Sequence, residues 1–453
     1  MPLLDLLTLG RGPSHPEPHK GATAGRPIED LPPPAEVILP LQQHLGDPAL
    51  PVVKKGDVVR RGQKIAEAQG TGVPLHATVG GRVKSIDRQP HPTLVQALAI
   101  VLASAPEAES APLEFPEDPA WRTLPREEML ARIREAGIVG LGGAAFPTFR
   151  KLQLPPDVKV DTLIINGAEC EPYLTADYRL MLAEPRTIVE GAMLMARIVD
   201  VPRVLFGVES DKRDAAAALE AATRGVEAGA LELRVKVVPT RYPQGAEKQL
   251  VTALTGRVIP PRMLPYAVHV VVQNVATAAA VRDAVRYRRP LLDRVVTVTG
   301  PGVMEPRNVR APVGTPLADL VRFCGGLAGE VTRVISGGPM MGRALPRLDV
   351  PLIKGMNGLV LLTGKGPYEE GFGPCIQCGR CLDACPLGLE PNHISVRVEA
   401  GRATETVEFG AEECYECGAC SFVCPSQRPL VQFVQVAKGA LRKQRQNLQA
   451  VTK

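Results

Sequence analysis

A chain of 453 residues is too long for one hydrophobic core, and about 100–200 residues per domain predicts three or four domains. Hydrophobic residues make up 45% and charged residues 22%, which are globular values, and a formal net charge of +5 is too small at this length to indicate a nucleic-acid-binding protein. The 44 prolines and 43 glycines indicate many turns and short strands, which argues against a long helical bundle.

The N-terminal stretch has no basic leader, so it predicts no secretory signal, and we expect a cytoplasmic chain. The most apolar windows, 94–105 and 267–281, are shorter than the roughly 18–20 residues that a membrane span needs, so we expect no transmembrane span. Residues 1–36, rich in Pro and His from residue 11, predict an extended arm. The N-terminal histidines lack metal-ligand spacing, and we expect surface or packing roles for His15, His19, His44, His76 and His91.

Residues 37–110 alternate short β-branched runs with glycine-centred turns, as in "PVVKKGDVVRRGQKIAEAQ", which predicts a small β-sandwich or barrel. This unit resembles the β half-barrel, or barrel-sandwich hybrid, of biotinyl and lipoyl domains, and the resemblance implies that fold for residues 37–110. Its hairpin turn, "GTGVPLHATVGG", has no lysine to modify, so we interpret the unit as structural.

Residues 115–290 follow a Pro- and acid-rich linker and alternate helical and buried-strand patterns. "REEMLARIREAGI" has helical spacing, "VDTLIING" and "VPRVLFGV" are strand runs, and "KRDAAAALEAATRG" is an alanine-rich helix that Gly225 ends. Strands separated by helices predict an α/β domain with a largely parallel sheet. The pattern of 293–345 resembles a small β-grasp (SLBB-like) module, and we interpret 346–370 as a linker with one strand-like segment.

Eight of the ten cysteines lie in "CIQCGRCLDACP" and "CYECGACSFVCP". Both phrases follow C-x2-C-x2-C-x3-C-P, the bacterial ferredoxin spacing for two 4Fe-4S clusters, in which the fourth cysteine of each phrase ligates the other cluster. We therefore predict a helical ferredoxin-like domain over 371–428. The predicted ligands are Cys375, Cys378, Cys381 and Cys424 for cluster 1, and Cys414, Cys417, Cys420 and Cys385 for cluster 2.

Structural zinc is the alternative for these phrases, although three evenly spaced cysteines suit one tetrahedral ion poorly. The other two cysteines, Cys170 and Cys324, are single, and we expect unligated buried thiols. Residues 429–453 predict a basic amphipathic helix with Phe433, Val434, Ala437 and Leu441 on one side. A solvated helix end and a membrane-delivery element both remain open for this tail.

A glycine cluster in "GIVGLGGAAFPTFRK" could bring backbone N–H groups close to a phosphate, with Lys151 neutralising its charge. On its own such a cluster also fits a plain turn. Three further segments accompany it, "INGAECEPYLTADYR", "YPQGAEKQLVTALTGR" and "VVQNVATAAAV". Together the four resemble the flavoprotein subunit of respiratory complex I and related NADH-oxidising iron–sulfur flavoproteins. With the half-barrel and cysteine phrases, residues 15–437 resemble the C subunit of the Rnf-type ion-translocating electron transport complex.

The resemblance implies an FMN/NADH-binding domain, and its residues carry over by motif. The implied cofactor-binding residues are Gly140, Gly142, Gly143, Ala144, Lys151, Asn166, Glu169, Glu171, Tyr242, Gly245, Glu247, Asn274 and Thr277. Glu171 and Phe146 are the candidate NADH contacts, and no general base or covalent nucleophile is expected. Where complex I has an arginine and two acids, this chain has Leu141, Ala168 and Ala246.

The resemblance also implies a peripheral subunit on the cytoplasmic side of the inner membrane. It would oxidise NADH, or reduce NAD in reverse, through FMN, and pass single electrons through two 4Fe-4S clusters to membrane partners. Other subunits of the complex, and ferredoxin or flavodoxin as its eventual electron partner, are implied with it. The alternative hypothesis is a ferredoxin-like electron-transfer and docking subunit that no longer binds nicotinamide.

Overall fold

The computed structural model describes residues 15–105, 112–366 and 369–451, with side chains described up to 447. The predicted arm over residues 1–14 lies outside the described residues. The described part contains two small sheets near the N-terminus, a parallel sheet in the middle and a six-stranded mixed sheet after it, followed by a helical region.

The segment before the half-barrel differs from the predicted extended arm. It contains a short helix, α1 (Gly21–Ala24), and a strand, β1 (Ile28–Asp30). Strand β1 pairs in parallel with β14 (Arg307–Pro312), about 280 residues further along the chain, with Ile28 opposite Asn308. The segment is therefore part of a sheet.

The half-barrel prediction is confirmed. Its strands form a four-stranded sheet, order β2-β8-β7-β4, and a three-stranded sheet, order β3-β5-β6. The two sheets enclose an apolar core to which β2 and β8 contribute Val37, Leu39, Ile100 and Leu102, which alternate along their strands as half-buried strands require. The strands are β2 (Glu36–Pro40), β3 (Leu50–Pro51), β4 (Val58–Val59), β5 (Lys64–Glu67), β6 (Leu75–His76), β7 (Gly81–Pro90) and β8 (Gln96–Ser104).

The α/β domain is built on a parallel sheet with the order β11-β10-β9-β12. Successive residues of β9 point to opposite faces: Leu163 and Ile165 enter one core, and Ile164 enters the other. The strands are β9 (Thr162–Gly167), β10 (Arg203–Glu209), β11 (Glu232–Val238) and β12 (Val270–Asn274). The sheet is therefore buried on both faces, as the continuous apolar runs predict.

Helices cover both faces of this sheet. On one face α5 and α8 approach so closely that a Cβ at Gly191 would lie 1.8 Å from the carbonyl oxygen of Ala278. Gly225 follows α6, as predicted. The helices are α2 (Arg126–Glu135), α3 (Thr148–Leu152), α4 (Ala176–Ala183), α5 (Pro185–Val199), α6 (Arg213–Arg224), α7 (Glu247–Thr255), α8 (Val275–Tyr287) and the 3-10 helix Pro265–Val268.

The β-grasp unit is larger than the sequence indicated. Its mixed sheet has the order β1-β14-β13-β17-β15-β16, with helix α9 (Leu317–Phe323) packed on it. Strand β17 (Gly358–Thr363) lies inside this sheet, between β13 (Asp293–Thr299) and β15 (Val331–Ser336). The interpretation of 346–370 as a linker is therefore wrong over β17. The remaining strand is β16 (Arg343–Leu345).

The cysteine region is helical, as predicted. It contains α10 (Arg380–Asp383), α11 (Pro391–Glu399), 3-10 helices Ala403–Phe409 and Ala411–Glu413, α12 (Ala419–Phe422) and α13 (Leu430–Val451). The apolar face of α13 is covered within the chain, because Val434, Ala437 and Leu441 pack against Ile394 and Ala411. None of the helices that the structure describes has the length and hydropathy of a membrane span.

Candidate functional site

The glycine loop, residues 140–146, lies at the N-terminal end of α8. The Leu141 amide donates to the Thr277 hydroxyl at 2.9 Å, and a Cβ at Gly142 would lie 3.3 Å from the Asn274 side chain. Gly143 has a φ of +109° and open space where a Cβ would stand. The loop therefore exposes backbone beside the positive end of a 13-residue helix, an arrangement that favours an anion.

Two side-chain caps fix the helices around this loop. The Asn274 side-chain oxygen accepts from the amides of Ala276 and Thr277 at 2.9 and 3.3 Å, and its nitrogen donates to Asp177 at 2.6 Å. The Glu169 carboxylate accepts from the Asp177 amide at 3.0 Å, at the start of α4. Asn274, Thr277 and Glu169 thus hold the loops in position from behind.

Two cations that no sequence motif marks, Lys20 and Arg294, support the same loops. The Lys20 ammonium donates to the carbonyl oxygens of Glu169, Glu171 and Leu174 at 2.7, 2.9 and 2.6 Å, and burial lowers its pKa. The Arg294 guanidinium donates to the Leu141 carbonyl at 2.8 Å, and burial lowers its pKa to about 10. Lys20 is some 150 positions from the carbonyls it binds, so no local pattern could have identified it.

Glu171 connects the α/β domain to the β-grasp unit. Its carboxylate accepts hydrogen bonds from the backbone amides of Met340 and Met341 at 3.1 and 2.8 Å. Burial raises the pKa of Glu171 to about 7, because desolvation disfavours the charged form. This carboxyl group therefore titrates near neutral pH beside an open cleft.

Other predicted binding residues contact one another. Lys151 and Glu247 form an ion pair at 2.6 Å and are both partly exposed. The Asn166 side chain donates to the Gly245 carbonyl at 2.8 Å, and a Cβ at Gly245 would lie 2.5 Å from the Ala168 carbonyl oxygen. Only glycine fits at position 245 without a backbone shift.

Two aromatic residues occupy different environments. Tyr242 is fully buried and donates its hydroxyl to the Cys417 carbonyl at 2.5 Å, so it lies between the α/β domain and the second cysteine phrase. Phe146, the candidate nicotinamide contact, is exposed at the glycine loop. Leu141 is buried in the α/β core, so its side chain does not replace the ligand contact that an arginine would make there.

A three-domain cleft of about 620 Å³ opens beside the glycine loop. Its walls come from the α/β domain, the half-barrel and the β-grasp unit, with Glu171 on its surface. The wall segments are Gly142–Ala145 from the glycine loop, residues 42–45 and 91, 93 and 94 from the half-barrel, 336–338 and 341–343 from the β-grasp unit, and 353 and 355–357.

The eight cysteines of the two phrases line two small cavities of about 20 Å³ each. Each cavity takes three thiols from one phrase and the fourth from the other, which is the grouping that the spacing predicts. The first cavity is lined by Cys375, Cys378, Cys381 and Cys424, and the second by Cys385, Cys414, Cys417 and Cys420.

Both phrases adopt the same backbone conformation. Gln377 and Gly379 have φ values of 55° and 78°, and Glu416 and Gly418 have 62° and 81°. The left-handed residues curl each loop around its cavity, so three thiols converge on one space. The repeat in sequence is therefore a repeat in structure.

The chemistry of the donor set fits clusters. Burial raises the pKa of Cys417 to about 12 and also raises that of Cys420, so these thiols need nearby positive charge to become thiolates. The Glu416 amide donates to the Cys414 sulfur at 3.3 Å, and the Leu389 amide to the Cys385 sulfur at 3.3 Å.

Cys170 and Cys324 lie outside both groups. Cys324 is buried in the β-grasp core, and Cys170 is partly buried against Tyr242 and Cys417. Burial raises the pKa values of both thiols, which suits packing roles.

These features define an electron-transfer protein of the iron–sulfur flavoprotein class. Four families match the chain in order: the RnfC barrel sandwich hybrid domain at residues 10–107, the Nuo51 FMN-binding domain at 133–283, the SLBB domain at 295–344 and the 4Fe-4S dicluster domain at 374–427. The chain belongs to the RnfC family, the C subunits of the ion-translocating (Rnf-type) oxidoreductase complexes.

Two relatives support this assignment along almost the whole chain. The C subunit of the "Proton-translocating ferredoxin:NAD(+) oxidoreductase complex" of Clostridium ljungdahlii is 43% identical over 96% of this chain and 95% of its own length. The C subunit of the "Na(+)-translocating ferredoxin:NAD(+) oxidoreductase complex" of Acetobacterium woodii is 39% identical over 96% and 97%. Among solved structures, NAD+-reducing [NiFe]-hydrogenase in the air-oxidized state has a TM-score of 0.48 at 22% identity, covering 67% of this chain and 60% of that one.

Proposed function

We propose that this chain is the NADH-oxidising subunit of a membrane-bound ion-translocating electron transport complex, and that it reduces NAD in the reverse direction. Bound FMN supplies conversion between hydride and single electrons, and two bound 4Fe-4S clusters supply single-electron transfer. The family membership and the names of the relatives support this function. The protein's own residues bind these groups, orient them and limit the access of water.

For FMN, we propose that the exposed glycine loop binds the phosphate with backbone N–H groups, helped by the positive end of α8. Lys151 offers a cation near this loop and is held by Glu247. Four residues support the site without contacting the ligand, because their polar atoms already bind backbone or side-chain partners. They are Asn166, Glu169, Asn274 and Thr277. Glu171 borders the three-domain cleft, where we propose that NADH binds.

The observation that carries the proposal is a direct contact with the second cysteine group. It is made by the segments that resemble the FMN-binding segments of complex I. Tyr242 donates to the Cys417 carbonyl at 2.5 Å. Met340 binds Glu171 through its amide, and its carbonyl oxygen would lie 2.6 Å from a Cβ at Gly418. We therefore propose that the cluster held by the Cys385, Cys414, Cys417 and Cys420 group is the inner one, next to the flavin segments.

The first cysteine group then holds the outer cluster. Cys378 of this group is exposed, and the neighbouring Ile376 is exposed as well. We propose that other subunits of the complex take electrons at this end, with ferredoxin or flavodoxin as the eventual partner of the complex. The proposed location is the cytoplasmic face of the inner membrane, as a peripheral subunit.

An anaerobic NADH titration of the FMN-reconstituted chain tests this function, with flavin bleaching followed optically and reduced clusters followed by EPR. We expect NADH to bleach the flavin and to produce two cluster signals. If dithionite reduces the clusters while NADH changes neither signal, the alternative of an electron-transfer and docking subunit without nicotinamide binding is correct instead.

A further inference from the structure

The half-barrel is joined directly to the glycine loop. The Leu45 amide donates to the Ala145 carbonyl at 3.1 Å, and Lys354, in the segment before β17, donates its amide to the Gln43 side-chain oxygen at 3.1 Å. Loops 42–45 and 91–94 therefore form the wall of the three-domain cleft that faces the glycine loop and Glu171. The sequence alone predicts only a structural role for this unit.

A buried histidine holds the two barrel loops together. The imidazole Nε2 of His91 lies 2.9 Å from the Gln42 carbonyl, and its Nδ1 lies 3.0 Å from each of the amides of Thr93 and Leu94. These partners assign the neutral tautomer, in which Nε2 donates and Nδ1 accepts. Burial lowers the pKa of His91, so this arrangement persists at neutral pH. The backbone at Leu94 is thus fixed in place.

Gln43 places a free hydrogen-bond donor at the base of this wall. Its side chain is 2% exposed and lines the cleft, and its oxygen is occupied by the Lys354 amide. Because that contact uses the side-chain oxygen, the NH2 group is the hydrogen-bonding group of the Gln43 side chain that remains. This nitrogen has no partner among the described residues. A buried amide donor without a partner is costly, which points to an acceptor that a ligand supplies.

The mouth of the cleft is apolar. Leu45, Leu94 and Met341 all line it, and they are 59%, 45% and 50% exposed. Large apolar side chains gathered at one opening, with a few polar groups below them, are typical of a site for a flat aromatic ligand. Arg343 adds a positive charge on the β-grasp side and Glu171 adds a titratable acid.

We infer that the half-barrel forms part of the nicotinamide dinucleotide site. In this arrangement Leu45 and Leu94 cover the nicotinamide ring on the side opposite the glycine loop, and the Gln43 NH2 group donates to the carboxamide oxygen. This inference rests on the proposed function, because it takes NADH as the ligand of the cleft. It gives the half-barrel a direct part in substrate binding.

Two leucines of the half-barrel provide a matched test. Leu94 and Leu98 are 45% and 44% exposed, but only Leu94 lines the cleft. The FMN-reconstituted chain is compared with its Leu94→Glu and Leu98→Glu variants by calorimetric titration with NAD+ and with ADP-ribose, which lacks the nicotinamide ring. FMN affinity is measured separately by fluorescence quenching. We expect Leu94→Glu to weaken NAD+ binding about tenfold, because the ring loses an apolar contact and meets a charge. The Leu98→Glu variant should stay within about twofold of the wild type, the scatter we allow for a side chain that touches no ligand.

A Gln43→Met variant tests the polar contact. It should weaken NAD+ binding while ADP-ribose and FMN bind as in the wild type, because only the nicotinamide end carries the carboxamide. Equal NAD+ affinities of Leu94→Glu and the wild type, or an equal loss for ADP-ribose, overturn the inference and leave the proposed function intact. If the wild-type chain binds FMN but not NAD+, the proposed NADH site and this inference both fail.

Discussion

Lys354 offers a test of how burial controls charge at the junction of three domains. Its ammonium donates to the carbonyl oxygens of Gly137 at 2.8 Å and Pro74 at 3.3 Å, and burial lowers its pKa from 10.5 to about 7. A lysine whose pKa is lower in the folded state binds fewer protons there than in the unfolded chain. Its cost to stability is therefore largest below pH 7 and disappears as pH rises towards 10.5.

The magnitude follows from the two pKa values. Linkage gives a cost of about 4 kcal/mol at pH 7 and about 2 kcal/mol at pH 9. We expect the wild type to gain about 2 kcal/mol relative to Lys354→Met over this interval, since contributions from other groups cancel in the difference. His44 and His76 nearby have pKa values lowered to about 4 and about 3, so they stay neutral throughout.

Urea denaturation followed by fluorescence measures this difference. Trp121 is the only tryptophan and lies in the α/β core, so its emission reports that domain. Lys55→Met, at an exposed lysine of the half-barrel, is the control and should show no pH-dependent difference. A Lys354→Met difference that stays constant from pH 7 to pH 9 would refute the assignment of a low pKa to the buried ammonium.

Four further predictions concern the site. Lys20→Met leaves three partly buried carbonyl oxygens without their donor, so we expect a loss of about 3 kcal/mol in urea denaturation and weaker FMN binding by fluorescence quenching. Unchanged FMN affinity would exclude a positioning role for Lys20. Cys424→Ala should remove the outer cluster from the EPR spectrum and spare the inner one, and loss of the inner cluster alone would contradict the grouping. Tyr242→Phe should cost about 1 kcal/mol and shift the potential of the inner cluster in an EPR redox titration, while a shift of the outer cluster alone would contradict the proposed order. Glu171 has a raised pKa of about 7, so it is neutral below that pH and its burial destabilises the fold as pH rises from about 4.5 through 7. The Glu171→Gln variant should lose this slope in urea denaturation and slow flavin reduction by NADH in stopped-flow kinetics, and an unchanged slope would exclude Glu171 as its source.

Much of the architecture could be predicted because its signals are local. Cysteine spacing fixes which thiols can reach one cavity, and apolar runs such as 162–167 identify strands buried on both faces. Gly379 and Gly418 carry the same kind of local information, because both adopt a left-handed φ that glycine accepts without steric cost.

The features that the sequence did not reveal all depend on pairing over long distances. Nothing near β17 indicates that it enters the β-grasp sheet, since an apolar strand of six residues fits a connector equally well. Lys20 gives no sign of its partners, and Gln43 and Leu94 acquire a role only when the half-barrel meets the glycine loop. Residues carried over by resemblance, such as Thr277 and Tyr242, lie in the expected region but bind protein partners.

The pairing of β1 with β14 has a consequence for biosynthesis. Ile28 leaves the ribosome long before its partner Asn308 exists, and β17, which completes the interior of the same sheet, follows later still. At roughly 5–20 residues per second, the first strand waits on the order of 15–60 s with its backbone groups unpaired. The half-barrel and the α/β domain can fold during this interval, whereas the β-grasp sheet closes only after β17 has been synthesised. We therefore expect nascent chains arrested before residue 358 to be bound by chaperones and cleaved by proteases within the β-grasp region, because their sheet still lacks β17.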